Sequence, residues 1–146
     1  MIPLPIRAAT VLLLLVGGAA CVDLGVNPQA PTVWDSQLTP TQPFPGISGQ
    51  AAAVSQATGT SVGVDIQGGT AGAHYAWGLK LGTCASPGLQ IGEDADYPAL
   101  DVSGTGTASS QAQFGALLDL GHTYHVDVRV SASDPSRVAC GDLVAR

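Results

Sequence analysis

A chain of 146 residues carrying a net charge of −6 and only five Lys or Arg is long enough for one core, and too acidic to grip nucleic acid or an anionic lipid surface by charge. Nineteen glycines, ten prolines, a single Lys and a single Glu work against helices and favour short strands joined by turns. The expected class is all-β.

Residues 1–20 have one charge, Arg7, then an apolar run over 11–16 and the small residues Gly17-Gly18-Ala19-Ala20 before Cys21. This is the pattern of an export signal peptide. The apolar run falls short of the ~20 residues a membrane-spanning helix needs. Small residues directly before a cysteine resemble the lipobox of bacterial lipoproteins, which implies that Cys21 becomes the acylated first residue and ties the protein to a lipid bilayer in the cell envelope, facing the periplasm or the exterior. Gly18 stands where that pattern prefers Leu or another branched aliphatic, and Gly18-Ala19-Ala20 also suits ordinary signal-peptidase cleavage. Free secretion is therefore the alternative. Loss of the leader removes Arg7 and leaves four basic against eleven acidic residues.

Residues 21–47 include Pro28, Pro31, Pro40, Pro43 and Pro45, a density that reads as an extended tether. Within it Thr32-Val33-Trp34-Asp35-Ser36-Gln37-Leu38 sets Trp34 and Leu38 on one side of a strand pattern, so part of the tether can dock on the domain. The domain itself is expected over 48–146. Strands are expected over 48–56 and over 62–67, where apolar and small or polar residues alternate. After the Gly68-Gly69 turn, Tyr75, Trp77, Leu79 and Leu81 share one face, directed inward, and His74, Ala76, Gly78 and Lys80 the other. Irregular structure is expected from Gly82 through the acidic run Glu93-Asp94-Ala95-Asp96 to Pro98, and that run lacks the spacing of a calcium loop. A strand follows over 107–114, and residues 117–120 are too few for a helix. Tyr124, Val126, Val128 and Val130 then alternate with His125, Asp127, Arg129 and Ser131. Asp134-Pro135-Ser136 turns the chain into a last strand over 137–144.

With Cys21 assigned to the leader, Cys84 and Cys140 remain, and an exported protein meets an oxidising compartment. A disulfide between them follows. Closing a loop this long is worth ~4 kcal/mol on a chain-entropy argument.

Two stretches together resemble the copper-zinc superoxide dismutase family: the Trp77 strand running into Gly82-Thr83-Cys84, and the ending Ser136-Arg137-Val138-Ala139-Cys140-Gly141. Ile66-Gln67-Gly68-Gly69-Thr70-Ala71-Gly72 and residues 128–134 extend the likeness to roughly 48–144. The resemblance implies a Greek-key β-sandwich, or flattened eight-stranded barrel, and the same Cys84–Cys140 bridge. It also implies positions for the metals: the family's copper-ligand histidines align with Gly78, Lys80 and Arg129, and its substrate-guiding arginine with Arg137. Glycine, ammonium and guanidinium give copper or zinc nothing to bind, and residues 85–99 contain no histidine. The expectation is therefore a domain with no cofactor and no catalytic residues, serving a binding or structural role. The alternative of a different class is a metal-binding dismutase.

Three of the four basic residues that follow the leader, Lys80, Arg129 and Arg137, thus map to the family's metal region. As a group they either form a small-anion patch or brace the structure, with Asp127 or the 93–96 run as counter-charge. His74, His125 and Asp127 are a further candidate set for a metal, weakened by the adjacent Arg129. No nucleophile with a base and no phosphate loop occurs. The remaining partner expected from the sequence is an envelope protein.

Overall fold

Period-two alternation of apolar and small polar residues decides where the strands fall, and glycines decide where they bend. The computed structural model describes residues 30–44 and 46–146. The leader, Cys21 and much of the tether lie outside the described residues. Nine strands follow in chain order: β1 (Thr32–Pro40), β2 (Ser48–Gln56), β3 (Gly59–Gln67), β4 (His74–Gly82), β5 (Pro87–Gln90), β6 (Leu100–Asp101), β7 (Ala108–Phe114), β8 (Tyr124–Arg129) and β9 (Arg137–Ala145). All pairings are antiparallel. The lateral order is β5-β4-β8-β9-β1-β2-β3-β7, with β6 beside the start of β4. Because β3 neighbours β7 and β4 neighbours β8, the chain must cross between the two halves of one curled sheet. The all-β expectation holds, in the form of an open half-barrel whose hollow is the core.

Trp34, Leu38, Ala51, Ala53, Val62, Val64 and Ile66 from β1–β3 meet Tyr75, Trp77, Leu79, Val126 and Val128 from β4 and β8 in that hollow. Trp77 packs edge-on against Tyr97 with ring centroids 4.9 Å apart, and its indole N–H donates to the Pro98 carbonyl at 2.7 Å. Burial pushes the Tyr97 hydroxyl up to about 12, and it donates to the Ile91 carbonyl. Close strand approach requires glycine at 141, where a Cβ would strike Ser36 Oγ and the Gln37 carbonyl of β1.

Two expected boundaries need correction. Residues 32–40 are part of the domain rather than tether: β1 pairs with β2 through Thr32↔Ser55 to Leu38↔Gly49, and with β9 on its other edge. Pro31 precedes this strand and Pro40 is its last residue, so neither removes a donor from its middle. The stretch from Gly82 to Pro98 is also more ordered than its turn-rich sequence suggests. Gly82 takes a φ of +83°, Thr83 and Ser86 exchange backbone hydrogen bonds, and the reversed chain returns as β5 on the edge of β4. The acidic run forms a 3-10 turn (Asp94–Asp96) in which the Asp96 carboxylate accepts the Glu93 N–H at 2.8 Å.

Candidate functional site

The face of β4, β8 and β9 that points away from the core carries most of the chain's chemistry. Alternation sends Gly78 and Lys80 of β4 and His125, Asp127 and Arg129 of β8 to that side. The register sets Lys80 opposite His125, Gly78 opposite Asp127, Asp127 opposite Cys140, and Arg129 opposite Arg137. A β-bulge between Val128 and Arg129 brings the last pair level.

The face is covered. Cys84 and Cys140 are joined, with Cα atoms 5.9 Å apart, so the chain after β4 is pinned across β9. The Cys84 N–H donates to Asp142 Oδ1 at 2.6 Å. Arg137 Nη1 donates to the Cys84 carbonyl at 2.6 Å and lies 3.3 Å from Cys140 Sγ. Beneath this cover His125 is fully buried and Asp127 nearly so. Strand alternation places both on the side of β8 turned away from the core, where the segment pinned by the bridge passes over them.

Asp127 is the hub. Its Oδ2 accepts from Lys80 Nζ at 2.7 Å. Its Oδ1 faces Arg129 Nε at 3.6 Å, within ion-pair reach and too far for a hydrogen bond. Arg129 Nη2 makes long contacts with the Trp77 carbonyl (3.5 Å) and Gln90 Oε1 (3.4 Å), and stands 3.9 Å from Asp94 Oδ1. Gln90 Nε2 in turn donates to Asp94 at 2.9 Å. The Gln90 amide occupies the space beside Gly78, where a Cβ would lie 2.6 Å from its Oε1. The three cations expected to cluster do share this face, each engaged by protein oxygen atoms. The counter-charges are Asp127 and Asp94, one from each expected source.

His74 is not part of the group. It lies at the far end of β4, exposed, 2.5 Å from Asp101. Among the described residues no three His, Cys, Asp or Glu side chains converge as a metal would require. The 93–96 run is spent on its own turn and on Arg129.

The burial of His125 was missed in the sequence. Neither ring nitrogen has a hydrogen-bond partner of good geometry. Desolvation holds its pKa below the usual histidine value; the Gly82 backbone and Asp127 oppose that shift, and Lys80 and Arg137 add to it. One signal was available: a bridge ending at Cys140, the register neighbour of Asp127, must carry chain over the same face.

No protein-family model matches the chain, and no curated protein matches it in sequence.

Two predictions follow from this geometry. Asp127→Asn leaves Lys80 and Arg129 facing each other without a buried counter-charge and should cost about 3–5 kcal/mol in urea unfolding, whereas a loss under about 1 kcal/mol would place the ion pairs in the class of exposed ones. His125 is neutral in the fold while the unfolded chain takes up its proton near pH ~6.5. Its contribution is therefore complete above that pH and is lost as pH falls toward the lower folded value. Urea unfolding between pH 8 and pH 5 should show wild-type stability declining below about pH 6.5 and His125→Leu lacking that slope; parallel profiles would contradict it. Asp119, held low by His122, and Asp134, held low by Ser136, act with the same sign only in the more acidic carboxylate range.

Proposed function

We propose that this chain is a non-catalytic domain of the copper-zinc superoxide dismutase type, exported in a bacterium, anchored to the envelope membrane through an acylated Cys21, and serving there as a binding or structural module. The observation that carries this reading is the Lys80–Asp127–Arg129 ion group at the positions where the resemblance sets metal ligands. Ion pairing with Asp127 fills the electrostatic role that a bound cation would have, and the Gln90 amide fills the space that a side chain at 78 would need. The residues present do not fit copper or zinc: position 78 supplies no donor atom, and Lys80 and Arg129 supply cations. Further support comes from the curled antiparallel sheet, in which the chain crosses between the two halves, and from the Cys84–Cys140 bridge with Arg137 seated on it.

A small-anion module built on Lys80, Arg129 and Arg137 is less well supported. Arg137 is committed to the Cys84 carbonyl and Lys80 to Asp127, so an incoming anion would have to displace bonds made inside the protein.

Purified mature protein incubated with copper and zinc and then desalted is expected to retain neither metal in stoichiometric amount and to leave superoxide decay at its spontaneous rate. In the same preparation, mass spectrometry should find an acylated N-terminal Cys21, and Cys21→Ser should release the protein from membranes. Stoichiometric copper with dismutation would overturn the non-catalytic reading. An unmodified, freely secreted Cys21 form would overturn the anchor.

A further inference from the structure

We infer that the end of the barrel formed by the 115–123 loop rests on the surface of the bilayer, with Leu117 and Leu120 entering a zwitterionic lipid headgroup layer. The inference rests on the anchoring reading above and adds which surface of the domain meets lipid.

Leu117 and Leu120 are two of the few large apolar side chains exposed among the described residues, 57% and 72% accessible. A single exposed leucine means little; these two stand three residues apart on one loop held in a fixed shape. Between them Leu118 is buried and its N–H donates to Ser55 Oγ at 3.0 Å. Asp119 N–H donates to the Tyr124 hydroxyl at 3.1 Å, and Asp119 Oδ1 accepts the Gly121 N–H at 2.7 Å. The loop is thus stapled to the barrel on the inside and presents its leucines outward.

The point where the chain enters the domain adjoins this loop. Ser55, the residue that holds Leu118, is the register partner of Thr32 at the start of β1. Cys21 is separated from Thr32 by the ten residues 22–31, which span at most about 36 Å even when fully extended at roughly 3.6 Å each. The opposite end of the domain lies the length of a nine-residue strand further away, another ~30 Å. An acyl group at position 21 therefore favours contact through the Leu117 end.

Charged side chains at this end pair with one another at the protein surface. Asp119 pairs with His122 at 2.9 Å, and Arg146 pairs with Asp35. Among the described residues no basic cluster offers itself to anionic lipid at this end, which points to neutral, zwitterionic headgroups.

The test uses the full mature chain, purified from membranes of a lipoprotein-processing bacterial host and reconstituted into phosphatidylcholine vesicles. Variants Leu120→Cys and Leu117→Cys, each adding one free thiol beside the acylated Cys21 and the bridged Cys84 and Cys140, carry an environment-sensitive fluorophore. Gly104→Cys is the control; it sits on the turn beside Gly69, away from the Thr32 end, and a Cβ there meets nothing within 4 Å. Labels at 117 and 120 should be quenched about twofold or more by brominated lipid and blue-shifted, while the label at 104 stays unquenched. Vesicle-bound protein whose labels at 117 and 120 behave like the one at 104 would overturn the docking inference and leave the anchor intact. Labels shielded from water but untouched by lipid quencher, and dependent on protein concentration, would assign the leucines to a second copy of the chain and overturn it equally. Protein that carries no acyl group and does not float with vesicles would remove the anchoring reading and this inference together.

Discussion

The bond between Cys84 and Cys140 holds the segment after β4 across the outer face of β4, β8 and β9, and the character of that face depends on it. A strand in an antiparallel half-barrel ordinarily has one dry side and one wet side. Here β8 is dry on both: Tyr124, Val126 and Val128 face the core, while His125 and Asp127 are buried beneath the cover. The bridge spans a sequence separation of 56, so its entropic effect on the unfolded chain, ~4 kcal/mol, is sizeable beside the stability of a domain this small. Arg137, donating to the Cys84 carbonyl, fixes the same segment from a second direction.

Burial of the face sets the electrostatics beneath it. Charges removed from water are tolerated only when paired, and one carboxylate serves two cations: Asp127 takes Lys80 directly and Arg129 at longer range, while Asp94 reaches Arg129 from the adjoining turn. His125 solves the same problem by staying neutral, since burial disfavours its charged form and the nearby Lys80 and Arg137 add to that cost. The result is a polar layer whose charges compensate one another locally. Each of its cations already has a carboxylate or carbonyl oxygen of the protein within reach.

Much of this was legible in the residues. Alternation located β2, β3, β4, β7, β8 and β9 to within a few positions, and counting cysteines paired Cys84 with Cys140. Trp34 and Leu38 already marked one buried side of β1, but the prolines around them argued for tether; what settles the matter is that β1 has hydrogen-bonding partners on both edges, and that is a long-range fact no local pattern contains. The grouping of Lys80, Arg129 and Arg137 on one face came from period two together with the resemblance. The burial of that face did not, because alternation says which side a residue points to and nothing about what lies on top of it. Tyr97 was hidden for a related reason: it sits in a polar, proline-containing stretch, and its burial against Trp77 depends on the 3-10 turn folding back over the barrel.

The shape of the molecule and its apolar loop agree on a direction for the whole. The core lies in the hollow of the curled sheet, the covered polar face lies on its flank, and the exposed Leu117 and Leu120 sit at the end where the chain enters. The claim beneath all of it is that the bridged segment turns the outer side of β8 into an interior. Exchange of the histidine ring C2 proton for deuterium, followed by mass spectrometry, reads that burial directly, with exposed His74 and His122 as standards in the same molecule. The account predicts that His125 exchanges far more slowly than either in the oxidised protein and approaches them in folded Cys84→Ser/Cys140→Ser. A His125 that exchanges as fast as His74 and His122 with the disulfide intact would contradict it.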